Sequence, residues 1–343
     1  MSQRPTAFVT GATGLLGNNL VRLLLAQGFH VKALARSSDK AQQQFGVQTH
    51  ERLEIVLGDI REPAKFETTL RSVDILFHTA AYFRESYEGG RHSKGLHDTN
   101  VLGTRALLKA AYEQGVRRIL HVSSIAVLGH NPGGEVDEQC LQRLDGAEDA
   151  YYRSKIETDH VVYQFLEQHP DMHISLVLPG WMYGPGDLGP TSAGRFVLDF
   201  MRRALPAVPD ATASAVDARD VALVALQAAL HGSRGGRYLA AGRYFTLREL
   251  ADLTASVTGV PAPRWIAPRW FVLMLALCNE LRARLTGRPA LLSLATAMNI
   301  GSDHGRRFSD AKIKREFGIT FRPMEETLRD VIDFYRDRGM LPG

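Results

Sequence analysis

The stretch Thr10–Leu20, TGATGLLGNNL, decides how the rest of the chain reads. It follows an apolar run, AFVT (Ala7–Thr10), and opens a helical pattern from Leu15 to Gln27 that closes at Gly28. Gly11, Gly14 and Gly17 recur at intervals of three residues. Glycine permits a sharp turn at a strand end, lets the backbone approach a pyrophosphate, and allows helix and strand to pack closely. The helix N-terminus then offers unsatisfied N–H groups and a positive dipole end to an anion. A glycine triplet alone carries little. Placed between the first strand and the first helix, it points to a dinucleotide site.

Further strands read outward from this loop: His30–Ala35, Leu53–Asp59, Val73–Ala81, Arg117–Ser124 and His173–Pro179. Helical patterns separate them, among them Gly103–Gln114 and Asp149–His169. This alternation implies right-handed crossovers and a parallel sheet with helices on both faces. The near-continuous apolar strands suit a sheet covered on both sides. The expected fold class is α/β, a Rossmann doubly wound parallel sheet with a smaller, mostly helical C-terminal substrate-binding region. Residues 1–180 would form the NAD(P)-binding domain and residues 181–343 the second region, with about 213–240 returning to the sheet. A helix at Val216–Leu230 would cover that sheet, and a last helix at about Met324–Arg338 would dock on the body.

Composition narrows the function classes. Of 343 residues, 45% are hydrophobic and 23% charged, which is ordinary for a globular protein with a full core. The net charge is +4 without a dense basic run, which argues against a nucleic-acid partner. Cys140 and Cys278 lie far apart, with neither metal-ligand nor disulfide spacing, so a reducing cytoplasmic location is expected. No apolar segment precedes a cleavage site near the N-terminus, so no signal peptide is expected. The apolar run Trp270–Cys278, WFVLMLALC, falls far short of the roughly 20 residues that span a bilayer. It reads as a buried or half-buried helix. A wall for an apolar substrate and a peripheral membrane contact are the alternatives.

A site for NAD usually places an acid about 20 residues on, for the ribose 2′-hydroxyl. Here Arg36 stands nineteen residues past Gly17, with Ser37 and Ser38 beside it. An acid would repel a 2′-phosphate, whereas a guanidinium grips it with two N–H groups. NADP is therefore favoured over NAD. Asp39 falls in the loop beyond, next to Lys40.

The stretch Ala150–Lys155, AYYRSK, sets two tyrosines before a lysine. Upstream, RRILHVSS ends at Ser124, which begins Ser124-x-x-Val127-x-Gly129. With the glycine triplet, these motifs make the chain resemble the extended short-chain dehydrogenase/reductase family. In texture it is most similar to dihydroflavonol-4-reductase-like and 3β-hydroxysteroid-dehydrogenase-like members. The likeness covers essentially the whole chain, most specifically Ala7–Lys155. It implies a catalytic set of Ser124, Tyr151 and Lys155, since only Tyr151 satisfies Tyr-x-x-x-Lys. Residues i and i+4 share a helix face, and Tyr152 is turned about 100° away. A free phenol has a pKa near ~10, which a nearby ammonium would lower. Lys155 would also hold the nicotinamide ribose, and Ser124 the substrate oxygen.

The resemblance further implies cofactor contacts at Gly11, Thr13, Gly14, Leu15, Leu16 and Gly17, and at Arg36. Asp59 and Ile60 would meet the adenine edge. Thr79, Ala80 and Ala81 would flank the cofactor from the strand end HTAA, where His78 reads as packed. Pro179, Gly180 and Met182 would line the nicotinamide, beside Tyr151 and Lys155. Asn100 corresponds to a helix asparagine with a structural or relay role. His92, His97, His121, His130 and His304 show no metal spacing, and no metal is expected.

The implied chemistry is hydride transfer at a carbon bearing oxygen. The favoured class is an NADP-dependent oxidoreductase acting on a ketone or secondary alcohol of a hydrophobic, possibly cyclic molecule. Trp265, Trp270, Phe271 and the run through Leu277 would suit such a substrate. The alternative is a nucleotide-sugar epimerase or dehydratase that recycles its cofactor, with Arg195, Arg202, Arg203, Arg219 or Arg243 holding a diphosphate. A non-catalytic cofactor sensor is disfavoured by the intact Ser124–Tyr151–Lys155 set. A homodimer through the helices beginning near Gly95 and Asp149 is implied, and the polar, glycine-containing insert Phe83–His97 would be a lid.

Overall fold

Twelve strands form among the described residues. In chain order they are β1 (Thr6–Thr10), β2 (His30–Ala35), β3 (Leu53–Leu57), β4 (Ile75–His78), β5 (Arg118–Val122) and β6 (His173–Pro179), then β7 (Trp181–Tyr183), β8 (Val208–Pro209), β9 (Thr212–Asp217), β10 (Arg237–Ala240), β11 (Arg243–Thr246) and β12 (Ile266–Ala267). The helices are α1 (Leu15–Ala26), α2 (Ser38–Phe45), α3 (Ser93–Leu96), α4 (Thr104–Glu113), α5 (Ala150–Gln168) and α6 (Ser192–Met201), then α7 (Ala218–His231), α8 (Leu247–Thr258), α9 (Arg269–Thr286), α10 (Ala311–Phe317) and α11 (Met324–Asp337). This computed structural model describes residues 4–46, 50–83, 92–147, 149–286 and 305–342.

Seven strands make one parallel sheet in the order β3-β2-β1-β4-β5-β6-β10. The order reverses between β1 and β4, which opens a crevice at the carboxyl ends of the strands. Side chains alternate across the pleat. Ala7 and Val9 of β1 join one apolar layer with Leu20, Leu24 and Val221, while Phe8 joins the opposite layer with Leu76, Leu107 and Ile119. Both layers are buried, which is why these strands carry apolar residues on both faces.

The chain after Gly180 builds its own core from Tyr183, Val197, Phe200, Leu250, Leu328 and Tyr335, against the small sheet β11-β9-β7. It also sends α7 and β10 back to the main sheet, β10 pairing with β6. Arg322 ties the two parts, donating from its backbone and side chain to Asp220 at 2.8 Å each.

α3 and α4 are joined by a π turn, His97–Gly103. Such turns fix a side chain that a regular helix would point elsewhere. Here the side chain is buried Asn100. It accepts from the Tyr82 backbone N–H at 2.7 Å and donates to the Tyr82 carbonyl and to Ser154 Oγ. This ties the strand end after β4 to α5, which carries the two tyrosines.

Candidate active site

The crevice is a cleft of about 750 Å³. Its floor is the glycine loop. Gly11 has φ +65°, and a Cβ there would lie 2.8 Å from Ala80 Cα. Thr79 Oγ1 donates to the Thr10 carbonyl at 2.7 Å, and the Ala80 N–H reaches Thr10 Oγ1 at 3.2 Å. The small residues of HTAA are thus pressed against the loop. Gly14 caps α1 without a side-chain hydrogen bond, and no acid stands in the first turn. These free N–H groups and the bare backbone form a cradle that fits a pyrophosphate.

Nearly every residue singled out for cofactor contact lies on the cleft wall: Gly11, Thr13, Gly14, Leu15, Leu16, Gly17, Arg36, Ile60, Thr79, Ala80, Ala81, Tyr151, Lys155, Pro179, Gly180 and Met182. Asp59 does not. Its carboxylate is held by the Arg61 fork at 3.0 and 2.8 Å, which keeps its pKa below the ordinary range. Of the pair expected at the adenine edge, Ile60 lines the cleft. Arg36 is exposed on the wall, with no hydrogen bond or ion pair among the described residues, and Lys40 lines the wall beside it. The sequence reading passed over Lys40. Its place in α2, where Ser37 caps the helix, was the available signal.

Ser124 and Tyr151 meet at the other end of the cleft, where the Ser124 hydroxyl is near enough to the phenol to favour its ionised form. Ser124 Oγ also accepts from the Ala126 N–H at 3.1 Å. Asp149 caps α5 by accepting from the backbone N–H groups of both tyrosines, so the register of the pair is set at the helix start. Tyr151 is buried and packs edge-on to Phe83, with ring centroids 5.1 Å apart. Tyr152 lies on the wall too, but its phenol faces Arg306, whose Nη1 donates to the Leu128 carbonyl at 2.8 Å. Arg306 thus ties the C-terminal region to the loop after Ser124.

Lys155 is 4% exposed, and its Nζ donates to the Val122 carbonyl at 3.2 Å. The expected depression of the Tyr151 pKa by Lys155 is not what the structure shows. Burial pushes the phenol up, and only the Ser124 hydrogen bond works against it. Tyr151 therefore holds its proton at neutral pH. Burial pulls the Lys155 ammonium down to about 8, and Asp159, one helical turn on, resists that fall.

Asp159 had no place in the sequence reading. It is buried, accepts from Ser123 Oγ at 2.7 Å, and lies 3.7 Å from Arg237 Nε. His78 and His121 pack behind the site with tilted rings 5.2 Å apart, kept neutral by burial and by the nearby lysine charge. His78 bonds Thr10 and Thr104, so it is the packed histidine expected. Asp159→Asn should move the Lys155 titration midpoint from about 8 to lower pH, because the one nearby group that favours the ammonium is lost. NMR of ε-¹³C-labelled lysine, with Lys155→Met for assignment, would show this. An unchanged midpoint would sink the coupling.

The segment after β6 is clamped over the cleft by α1 and α2. Asn19 Nδ2 donates to the Pro185 carbonyl at 2.9 Å, and Gln44 Nε2 to the Gly186 carbonyl at 3.2 Å. Asp187 Oδ2 accepts from the backbone and hydroxyl of Thr191, which caps α6. This brings Trp181, Leu188, Thr191 and Ala193 to the wall beside Met182. None of these four was singled out from sequence.

Two expectations about the C-terminal region need correction. Trp265, Trp270, Phe271 and Leu277 do not line the cleft; they lie on the outer surface. Among the described side chains of α9 only Val272 and Ala276 are buried, so the run is a half-buried helix and not a substrate wall. None of Arg195, Arg202, Arg203, Arg219 or Arg243 lines the cleft either. Arg219 pairs with Asp217 and Asp330, and Arg202 donates to the Met340 carbonyl. Among the described residues no His, Cys, Asp and Glu group is arranged to hold a metal, and no helix is long and apolar enough to cross a membrane. Most of the insert expected as a lid, residues 84–91, and His304 lie outside the described residues.

The cradle, and the placing of Ser124, Tyr151 and Lys155 on one cleft, fit the extended short-chain dehydrogenase/reductase class. The chain belongs to the NAD dependent epimerase/dehydratase family, whose sequence model matches residues 7–241. It is 33% identical over 338 residues to sterol demethylase protein B of Methylococcus capsulatus, covering 98% of this chain and 100% of that protein. It is 30% identical to a putative dihydroflavonol 4-reductase of Synechocystis, covering 97% and 95% respectively. The crystal structure of gox2253 superposes with a TM-score of 0.82 at 28% identity, covering 98% of this chain and 100% of that one.

Proposed function

We propose that the protein is an NADP-dependent oxidoreductase that reduces a ketone, or oxidises the secondary alcohol, of an apolar cyclic substrate. The observation that carries this is where the cleft keeps its charge. Among the described residues its cations are Arg36, Lys40 and Lys155. Arg36 follows β2 and Ser124 follows β5, three inter-strand steps apart in the sheet, or about 14 Å at ~4.8 Å per step. Arg36 and Lys40 suit the 2′-phosphate of the cofactor. Phe83 packs on Tyr151, and the rest of the wall carries Trp181, Met182, Leu188 and Ala193 beside the uncharged Thr191 and Ser192. A nucleotide-sugar diphosphate would need cations there. The names of the two relatives, sterol demethylase protein B and dihydroflavonol 4-reductase, also point to polycyclic molecules.

Bound across the glycine loop and Arg36, the nicotinamide cofactor would supply or accept the hydride. The chain's own part is to orient and to move a proton. Tyr151 Oη, kept protonated by burial, gives its proton to the substrate oxygen during reduction and is left as a phenolate; oxidation runs from that phenolate, which takes the alcohol's proton. Ser124 Oγ holds that oxygen, and Lys155 would hold the ribose of the bound nicotinamide.

Purified protein would be tested for NADPH and NADH consumption against cyclic and aryl ketones and, separately, nucleotide sugars. Steady NADPH loss with a ketone is expected. Conversion of a nucleotide sugar without net cofactor loss would overturn the reading. Arg36→Ala should weaken NADPH binding about tenfold to a hundredfold, the worth of a charge-assisted contact. NADH binding should change little. Equal loss for both cofactors, measured by fluorescence titration, would remove Arg36 from the 2′-phosphate.

A further inference from the structure

α9 is 18 residues long, about 27 Å at 1.5 Å per residue. Its inner face is narrow: Val272 and Ala276 are buried, and Leu273 packs beside them. The outward face is apolar. Trp270 is 66% exposed, Phe271 40%, Met274 47%, Leu275 46%, Leu277 49% and Leu281 51%. At about 100° per residue these side chains fill one continuous arc of roughly 160°, opposite Val272 and Ala276. Trp265, 76% exposed, and Ile266 extend the patch along the approach to the helix. A surface helix ordinarily shows water its polar side, and scattered single apolar residues do not make such a face.

The charges around this face are mainly basic. Arg264, Arg269 and Arg282 are exposed, and Glu280 is the single acid in the sequence of α9. Arg264 and Arg269 make no hydrogen bond or ion pair among the described residues. That decides between occupants. A second copy packed across a two-fold axis would bring the same patch, and the same arginines, against each other. An anionic lipid surface accepts the arginines at its phosphates, the indoles at headgroup level and the aliphatic side chains below them.

We propose that α9 is an in-plane anchor that seats its outer face in the headgroup–acyl boundary of an anionic bilayer. The helix lies on the membrane and does not cross it. If the substrate is apolar, as proposed above, the anchor holds the enzyme where such molecules concentrate. The anchor itself does not depend on that reading, and its test needs no substrate.

The full chain would be floated with vesicles of phosphatidylcholine alone and of phosphatidylcholine with phosphatidylglycerol. The wild type should float with the anionic vesicles, with a blue shift in tryptophan fluorescence and weaker binding at high salt. Trp270→Ser with Leu277→Ser should reduce binding by about tenfold or more, because both side chains would lie in the apolar layer. Arg264→Glu with Arg269→Glu should reduce it on the anionic vesicles. Both pairs are exposed, so circular dichroism and Tm should match the wild type. The proposal fails if the wild type does not float with anionic vesicles, or if the Trp270/Leu277 pair binds like the wild type. It also fails if sedimentation shows a dimer that this pair abolishes, which would make a second copy the occupant.

Discussion

Replacing Tyr151 by phenylalanine should remove turnover by about 10²–10⁴-fold, the range for loss of a positioned acid–base group, and leave NADPH binding nearly intact. The phenol sits on Ser124, is buried against Phe83, and loses only one oxygen in the variant. Phenylalanine keeps the ring contact, so the fold should not change. Tyr152→Phe is the matched control. Its hydroxyl faces Arg306 and not Ser124, so most activity should survive, with a modest loss of stability. Turnover would be measured with whichever ketone consumes NADPH, and binding by quenching of tryptophan fluorescence. If Tyr152→Phe is the dead variant and Tyr151→Phe the live one, the assignment of the pair is wrong.

Gly17→Ala should have the second large effect, on binding. A Cβ at Gly17 would be driven into the Gly11 carbonyl oxygen and close to the Ala12 Cα. Both are backbone, so the turn must move and the N–H cradle with it. NADPH affinity should fall by about a hundredfold or more, the scale of several lost charge-assisted hydrogen bonds. Gly28→Ala separates this from general damage. Gly28 has φ +87°, and its nearest neighbour to a Cβ is Arg52 Nη1 at 3.7 Å, away from the cleft. That variant should lose about 1–2 kcal/mol of stability to backbone strain and keep its affinity. Normal NADPH binding by Gly17→Ala would mean that the loop is not the cofactor cradle.

Much of the site was legible because its chemistry is local. Tyr151 and Lys155 lie one helical turn apart, and the three glycines lie within one loop. The Arg61 fork on the Asp59 carboxylate was not foreseen, because a residue pattern does not reveal such a partner. Asn19, Asp159 and Arg306 were missed because each acts on a partner distant in sequence or hidden by burial. Asn19 reaches Pro185, and Arg306 reaches Leu128.

The sequence by itself determined the sheet, the glycine loop and which tyrosine shares a face with the lysine, since periodicity and short spacing are properties of the local chain. Only the tertiary structure decided the charges and the faces. Whether Tyr151 keeps its proton depends on how much water its neighbours exclude. Whether WFVLMLALC walls a cleft or faces outward depends on which side of α9 finds something to pack against, and within that run it is the side of Val272, Leu273 and Ala276. Burial is a sum over the whole fold, and no stretch of nine residues contains it.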